Sequence, residues 1–223
     1  MRQKPVIIVN FKVYSESIGE NAVRLAKVCE KVSIETGTDI RVAVGATDIH
    51  EVSESVSIPV YSEHVDEYPL GKHTGSILPE MVKTAGATGT LINHSEHKVP
   101  LGKLEECIER SRNLGLVTVA CAENVEEEQA ILGFKSKPDF LAIEPPELIG
   151  GDISVSSARP ELITQSVAAA GKTRGVRLLV GAGIKTLADV ETALRLGADG
   201  VLIASGIDLA SDPEKALKEI IPS

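Results

Sequence analysis

Three apolar runs in the 223-residue chain each end on a residue that can do chemistry. Val6-Ile7-Ile8-Val9 leads into Asn10-Phe11-Lys12, and Thr90-Leu91-Ile92 leads into Asn93-His94-Ser95-Glu96. Phe140-Leu141-Ala142-Ile143 leads into Glu144-Pro145-Pro146. If the three runs are parallel strands, an ammonium, an imidazole and a carboxylate meet at one end of one sheet, the end where α/β folds bind ligands. Such a trio suits proton transfer. Each residue also has an ordinary reading alone: a strand-end Glu pairs with a Lys, a His makes structural hydrogen bonds, and a Lys is solvated. His97 lies three residues beyond His94, but no third ligand at metal-site spacing accompanies the pair, so no metal is expected.

The elements that must carry these residues follow from the pattern of short apolar runs between longer amphipathic stretches. Strands are expected at 6–10, 41–45, 59–62, 89–93, 116–120, 140–143, 177–181 and 200–204. Most are Val, Ile and Leu without polar alternation, as in strands covered on both faces. Helical spacing marks 20–35, 48–55, 104–114 and 125–133, a run opened by Pro160, another after Thr186, and a last one capped by Asp212. The Glu126-Glu127-Glu128 triplet reads as a helix start favoured by the macrodipole rather than as a binding patch. Ser95-Glu96 reads as a first helical turn. Two connections are long, 63–77 and 144–157, and loops of that length in a compact domain are usually functional. Eight strand–helix units in series most simply close into a single-domain (β/α)8 barrel over 1–223. A doubly wound open sheet is the alternative, but it brings the first, fourth and sixth strands together less naturally.

Composition narrows the function classes. Hydrophobic residues make up 43% and charged residues 25% of the chain, as in an ordinary globular protein. Aromatic residues are only 3%, so the core must be aliphatic. A formal net charge of −9 with no basic block argues against nucleic acid, and means that an anionic substrate needs a local positive site. No apolar stretch approaches the roughly 20 residues of a membrane helix, and no signal peptide is expected. Cys29, Cys107 and Cys121 are odd in number and widely spaced, which fits a reducing cytoplasm.

In order and position, Asn10-Phe11-Lys12, Asn93-His94-Ser95-Glu96 and Glu144-Pro145 resemble the triosephosphate isomerase family. The resemblance covers nearly the whole chain, and the trimmed middle helices are similar to the archaeal branch. It implies interconversion of dihydroxyacetone phosphate and glyceraldehyde 3-phosphate through an enediolate, without a cofactor, in glycolysis and gluconeogenesis. It implies Glu144 as base, His94 as electrophile and Lys12 as the cation, a division of labour known for this family. Asn10 would orient Lys12 or touch a substrate oxygen, and Glu96 would pair with Lys12. Gly181-Ala182-Gly183 and Ala204-Ser205-Gly206, after strands seven and eight, would hold the phosphate through backbone N–H groups. Gly183 stands where the family usually has Ser, and Ala204-Ser205 replaces a Gly pair, so these contacts use fewer side chains here. Residues 145–151 would form a lid with Leu148 and Ile149 covering the substrate and Gly150-Gly151 as a hinge. Pro146 and Glu147 replace residues common in that lid. Thr74, in the 63–77 loop, would plug into a neighbouring subunit, making the protein a dimer or, as in archaeal relatives, a tetramer.

Two other readings stay open on the residues alone. One is another phosphate-binding barrel enzyme of synthase type, although no Schiff-base Lys is identifiable. The other is a non-catalytic sugar-phosphate-binding barrel, which would not need all of Lys12, His94 and Glu144.

Overall fold

The computed structural model describes residues 5–145, 148 and 154–222. Eight parallel strands form a closed barrel in sequence order: β1 Val6–Asn10, β2 Asp39–Val44, β3 Val60–Ser62, β4 Gly89–Ile92, β5 Val117–Ala122, β6 Phe140–Ile143, β7 Arg177–Val180 and β8 Gly200–Ile203. Pairing of β1 with both β2 and β8 closes the barrel and excludes the open doubly wound sheet. The chain is an α/β protein with the (β/α)8 architecture.

The strands close as a barrel because they have two apolar faces. Val6, Ile8, Ala43, Leu91, Val119, Ala142, Leu179 and Leu202 fill the interior. Ile7, Val9, Val42, Ile92, Leu141, Ile143, Val180 and Val201 pack outward on the helices. Alternate residues of one strand thus serve two different cores, which is why the sequence shows continuous apolar runs. The wall also needs one small residue. A Cβ on Gly200 would stand 2.0 Å from the Val6 carbonyl oxygen, so β8 and β1 can approach only with glycine there.

The helices are α1 Glu20–Thr36, α2 Ile49–Ser55, α3 Pro79–Thr84, α4 Leu101–Asn113, α5 Val125–Gly133, α6 Val155–Ala158, α7 Pro160–Ala170, α8 Leu187–Arg195, α9 Ser205–Asp208 and α10 Pro213–Glu219. Their starts follow the capping chemistry. Thr186 and Asp189 form a reciprocal capping box at α8, and Asp212 accepts the Lys215 N–H at α10. α3, α6 and α9 have no counterpart in the expected elements, because six residues or fewer show too little periodicity to read. α6 also shortens the second long connection.

Most strand boundaries shift by one or two residues from those expected. The shifts matter at the C-terminal ends: β4, β7 and β8 stop one residue early, which leaves Asn93, Gly181 and Ala204 outside the ladders. These three residues begin the loops that follow the strands.

Candidate active site

Asn10 is the last residue of β1, and Lys12 follows it in a left-handed conformation with φ 52°. The Lys12 N–H donates to Asn10 Oδ1 at 3.2 Å, so Asn10 holds the strained turn that aims the lysine. The Lys12 ammonium is nearly buried and bonds Glu96 Oε1 at 2.6 Å, the expected pairing.

His94 does not start a helix. Residues 94–97 form an isolated turn, with His97 N–H donating to His94 O at 2.8 Å, and α4 begins only at Leu101. Pro100 disfavours helical backbone at Val99, and the Val99 N–H is committed to Asn93 Oδ1 at 2.9 Å. The imidazole is met by a single backbone N–H instead. The Glu96 backbone N–H donates to His94 Nδ1 at 3.2 Å. A backbone N–H can only donate, so Nδ1 carries no proton and the hydrogen of the neutral ring sits on Nε2.

His94 Nε2 faces Glu144 Oε1 at 3.8 Å, and both side chains are almost fully buried. That separation is too long for a hydrogen bond. Glu144 follows β6 and is fixed by its own N–H to Ala122 O at 2.8 Å. Its Oε2 is buried with no hydrogen-bond partner among the described residues, so it is an unspent acceptor. Burial and the neighbouring Glu144 charge push the Cys121 thiol well up, keeping it protonated.

Gly181 has a different job from the one expected. It does not line the cavity. A Cβ there would stand 2.5 Å from Glu144 Oε1, so its missing side chain makes room for the carboxylate.

Asn10, Lys12, His94 and Glu144 line one cavity of about 450 Å³ that opens to solvent. Its other wall is built from Ala182, Gly183, Ala204, Ser205 and Gly206. Ala182 and Gly183 both have positive φ, 69° and 71°. Ser205 starts α9. Thr74 is exposed and does not line this cavity. Ile149 and Gly150, with Pro146, Glu147 and Gly151, lie outside the described residues. Leu148 donates its N–H to Pro145 O at 3.0 Å and packs on the core. Ser154 and Ser156 both bond Asp189, and the Val155 N–H reaches Ala182 O at 3.1 Å. The segment from Ser154 is thereby tied to the turn at Ala182-Gly183.

Several site residues were not foreseen. Lys185 lines the cavity directly after the turn 181–184, where its position beside a Gly-rich strand end was the available signal. Glu127 was read as a helix-start charge, yet it bonds Asn93, Lys98 and the Glu123 N–H. His97 stacks on His64 with ring centroids 3.9 Å apart. Among the described residues, no group of three or more His, Cys, Asp or Glu could hold a metal ion.

Two acids flank Lys12, half-buried Glu63 and buried Asp208. Burial pushes Glu63 up to about 8, partly offset by the Lys12 backbone N–H. Burial pushes Asp208 up to about 7 against the opposing Lys12 charge, and neither Asp208 oxygen has a partner among the described residues. An unfolded Asp loses its proton near pH 4, whereas folded Asp208 keeps it to about pH 7. Between those values the folded state binds more protons, so this group's stabilising effect is full below pH 4 and declines as pH rises to about 7. Asp208→Asn should therefore melt above wild type by at least roughly 4 °C at pH 8, and by much less at pH 5. Thermal melts at both pH values check this, and an equal offset at both would contradict it.

Residues 5–221 match the family model for triosephosphate isomerase. A triosephosphate isomerase from Methanobacterium bryantii is 49% identical over 99% of this chain and 97% of its own length. One from Metallosphaera sedula is 48% identical over 97% and 94%, and one from Saccharolobus solfataricus 47% identical over 98% and 96%.

Proposed function

The chain belongs to the triosephosphate isomerase family and interconverts dihydroxyacetone phosphate and glyceraldehyde 3-phosphate, and we propose that Glu144, His94 and Lys12 carry the reaction. Glu144 takes a proton from the carbon beside the substrate carbonyl and returns it to the neighbouring carbon. His94 donates a hydrogen bond from Nε2–H to the substrate oxygens and moves the hydroxyl proton between them. Lys12 stabilises the enediolate charge and attracts the phosphate-bearing substrate. The observation that carries this reading is the facing of His94 Nε2 and Glu144 Oε1 at 3.8 Å in the cavity Lys12 lines. Neither group is spent on the other, and Glu144 Oε2 has no hydrogen-bond partner among the described residues.

The phosphate is held by backbone N–H groups of the turns at Ala182-Gly183 and Ala204-Ser205-Gly206, with Lys185 beside them. Their lining of the same cavity as the acid–base pair supports this. Ile149 and Gly150 belong to the lid that closes over the substrate and excludes water, which protects the enediolate from losing phosphate. A coupled assay starting from glyceraldehyde 3-phosphate tests the reading. Wild type turns over rapidly, Glu144→Gln hardly at all, and comparable rates in the two would overturn it.

The protein is a homo-oligomer, a dimer through the 63–77 loop and a tetramer as two such dimers. In support, Leu70 is 70% exposed and Val13 82% exposed, while Asn10, Lys12, Val13, His64, Ile77 and His97 surround a second opening beside the catalytic cavity. A neighbour's Thr74 fits there. Thr74→Arg should yield monomers in sedimentation velocity where wild type sediments as an oligomer, and an unchanged oligomer would remove Thr74 from the interface. Three buried, free cysteines suit the cytoplasm, where the enzyme serves glycolysis and gluconeogenesis. Among the described residues no helix is long and apolar enough to cross a membrane.

A further inference from the structure

His94 is aimed by the residue before it. Asn93 is buried and holds φ 65°, a conformation that side chains other than glycine adopt only with support. Its side chain supplies that support through three hydrogen bonds. Nδ2 donates to Cys121 O at 2.8 Å and to Glu127 Oε1 at 2.9 Å, and Oδ1 accepts from Val99 N–H at 2.9 Å. Two acceptors on one side and a backbone donor on the other fix the orientation of the amide.

Glu127, on α5, binds this loop at both ends. Oε1 takes the Asn93 amide and the Lys98 ammonium, the latter at 2.6 Å. Oε2 takes Lys98 again at 2.9 Å and the Glu123 N–H at 2.8 Å. Lys98 also reaches Glu123 Oε1 at 3.3 Å. Between Asn93 and Lys98 lie His94, which faces Glu144, and Glu96, whose side chain bonds Lys12 and whose N–H sets the His94 tautomer. One carboxylate therefore clamps the two ends of the segment that carries the electrophile. Burial opposes its charge, but the bonds from Lys98, the Glu123 N–H and Asn93 outweigh burial and hold its pKa below the ordinary glutamate value. The clamp is charged at neutral pH.

We propose that Glu127 is a positioning residue for the isomerisation, fixing the left-handed backbone at Asn93 that directs His94 Nε2 toward Glu144. The inference rests on the reading of His94 as the electrophile. Glu127 touches no reacting atom, so its effect is on how often the imidazole is in reach, not on substrate capture. Misplacement by about 1 Å far from the chemistry can lower a rate on the order of 100-fold.

Kinetics of Glu127→Ala, alone and in a His94→Gln background, test this, with thermal melts to record folding. The expected result is a kcat about 10-fold to 100-fold lower with KM within about twofold, and little further loss when Glu127→Ala is added to His94→Gln. Glu127→Gln keeps an acceptor for Asn93 while losing the charge facing Lys98. It should retain kcat within about threefold, and it serves as the folded variant if the alanine form unfolds. The imidazole 15N shifts of His94 should change in Glu127→Ala, which a purely structural role for Glu127 would not require. An unaltered kcat in folded Glu127→Ala overturns the proposal, as does an equal loss in both backgrounds. For an unfolded alanine form, a Glu127→Gln loss that is equal in both backgrounds overturns it too. Full activity in His94→Gln alone overturns the role of His94 and this inference with it, and is read from that single variant.

Discussion

Glu144→Gln is expected to lower kcat by about three orders of magnitude, within the roughly 10²–10⁴ that positioned acid–base groups contribute, while leaving KM within a few-fold. Glutamine has nearly the shape of glutamate, and the bare Cα of Gly181 leaves space for its amide where the carboxylate stood. The backbone bond from the residue 144 N–H to Ala122 O does not depend on the side chain. What disappears is the basic oxygen. Glu144 Oε2 is buried, and among the described residues it has no partner, so the native carboxylate is an acceptor held for the substrate proton. An amide cannot take that proton, and the groups that bind the substrate elsewhere in the cavity are untouched. A large rise in KM with kcat preserved would instead make Glu144 a binding group.

Lys12→Met is the second large effect, a fall in kcat/KM of at least about 10³ with measurable saturation lost. Lys12 is surrounded by acid. Glu96 bonds it at 2.6 Å, half-buried Glu63 and buried Asp208 lie beside it, and the chain carries a net charge of −9. Methionine keeps much of the apolar stem but leaves those carboxyls facing an incoming phosphate dianion. Both attraction to the site and stabilisation of the enediolate are lost together, which is why kcat/KM is the parameter to read. The wild-type kcat/KM should also fall with rising ionic strength, and that dependence should weaken in Lys12→Met. Near-normal Michaelis parameters in the variant would remove Lys12 from the site.

The barrel and the reacting trio were legible in the sequence for one physical reason. Strands buried on both faces appear as unbroken apolar runs, and their C-terminal ends are where the next polar residues must project. Val6–Asn10 and Phe140–Ile143 were readable to the residue. Asn93 was not, because its φ of 65° depends on the Cys121 carbonyl and Glu127, groups some 28 and 34 positions away in the chain. The same long-range dependence hid Glu127 inside an ordinary acidic helix start. Ser95-Glu96 was misread as a helical turn because the sequence shows a polar step after a strand but not the Val99-to-Asn93 bond that closes it. Gly181 looked like a phosphate-loop glycine, whereas its spatial neighbour is Glu144. Local chemistry was readable where chain neighbours decide it, and unreadable where the barrel closes.

The most direct test of the proton-transfer account is proton NMR in D2O with glyceraldehyde 3-phosphate, comparing wild type and Glu144→Gln at equal concentration. The wild-type protein should form dihydroxyacetone phosphate, part of it carrying deuterium on the carbon that receives the proton. Glu144→Gln should form product and incorporate deuterium at no more than about one-thousandth of that rate. Wild-type and variant proteins that isomerise and exchange at equal rates would contradict the account.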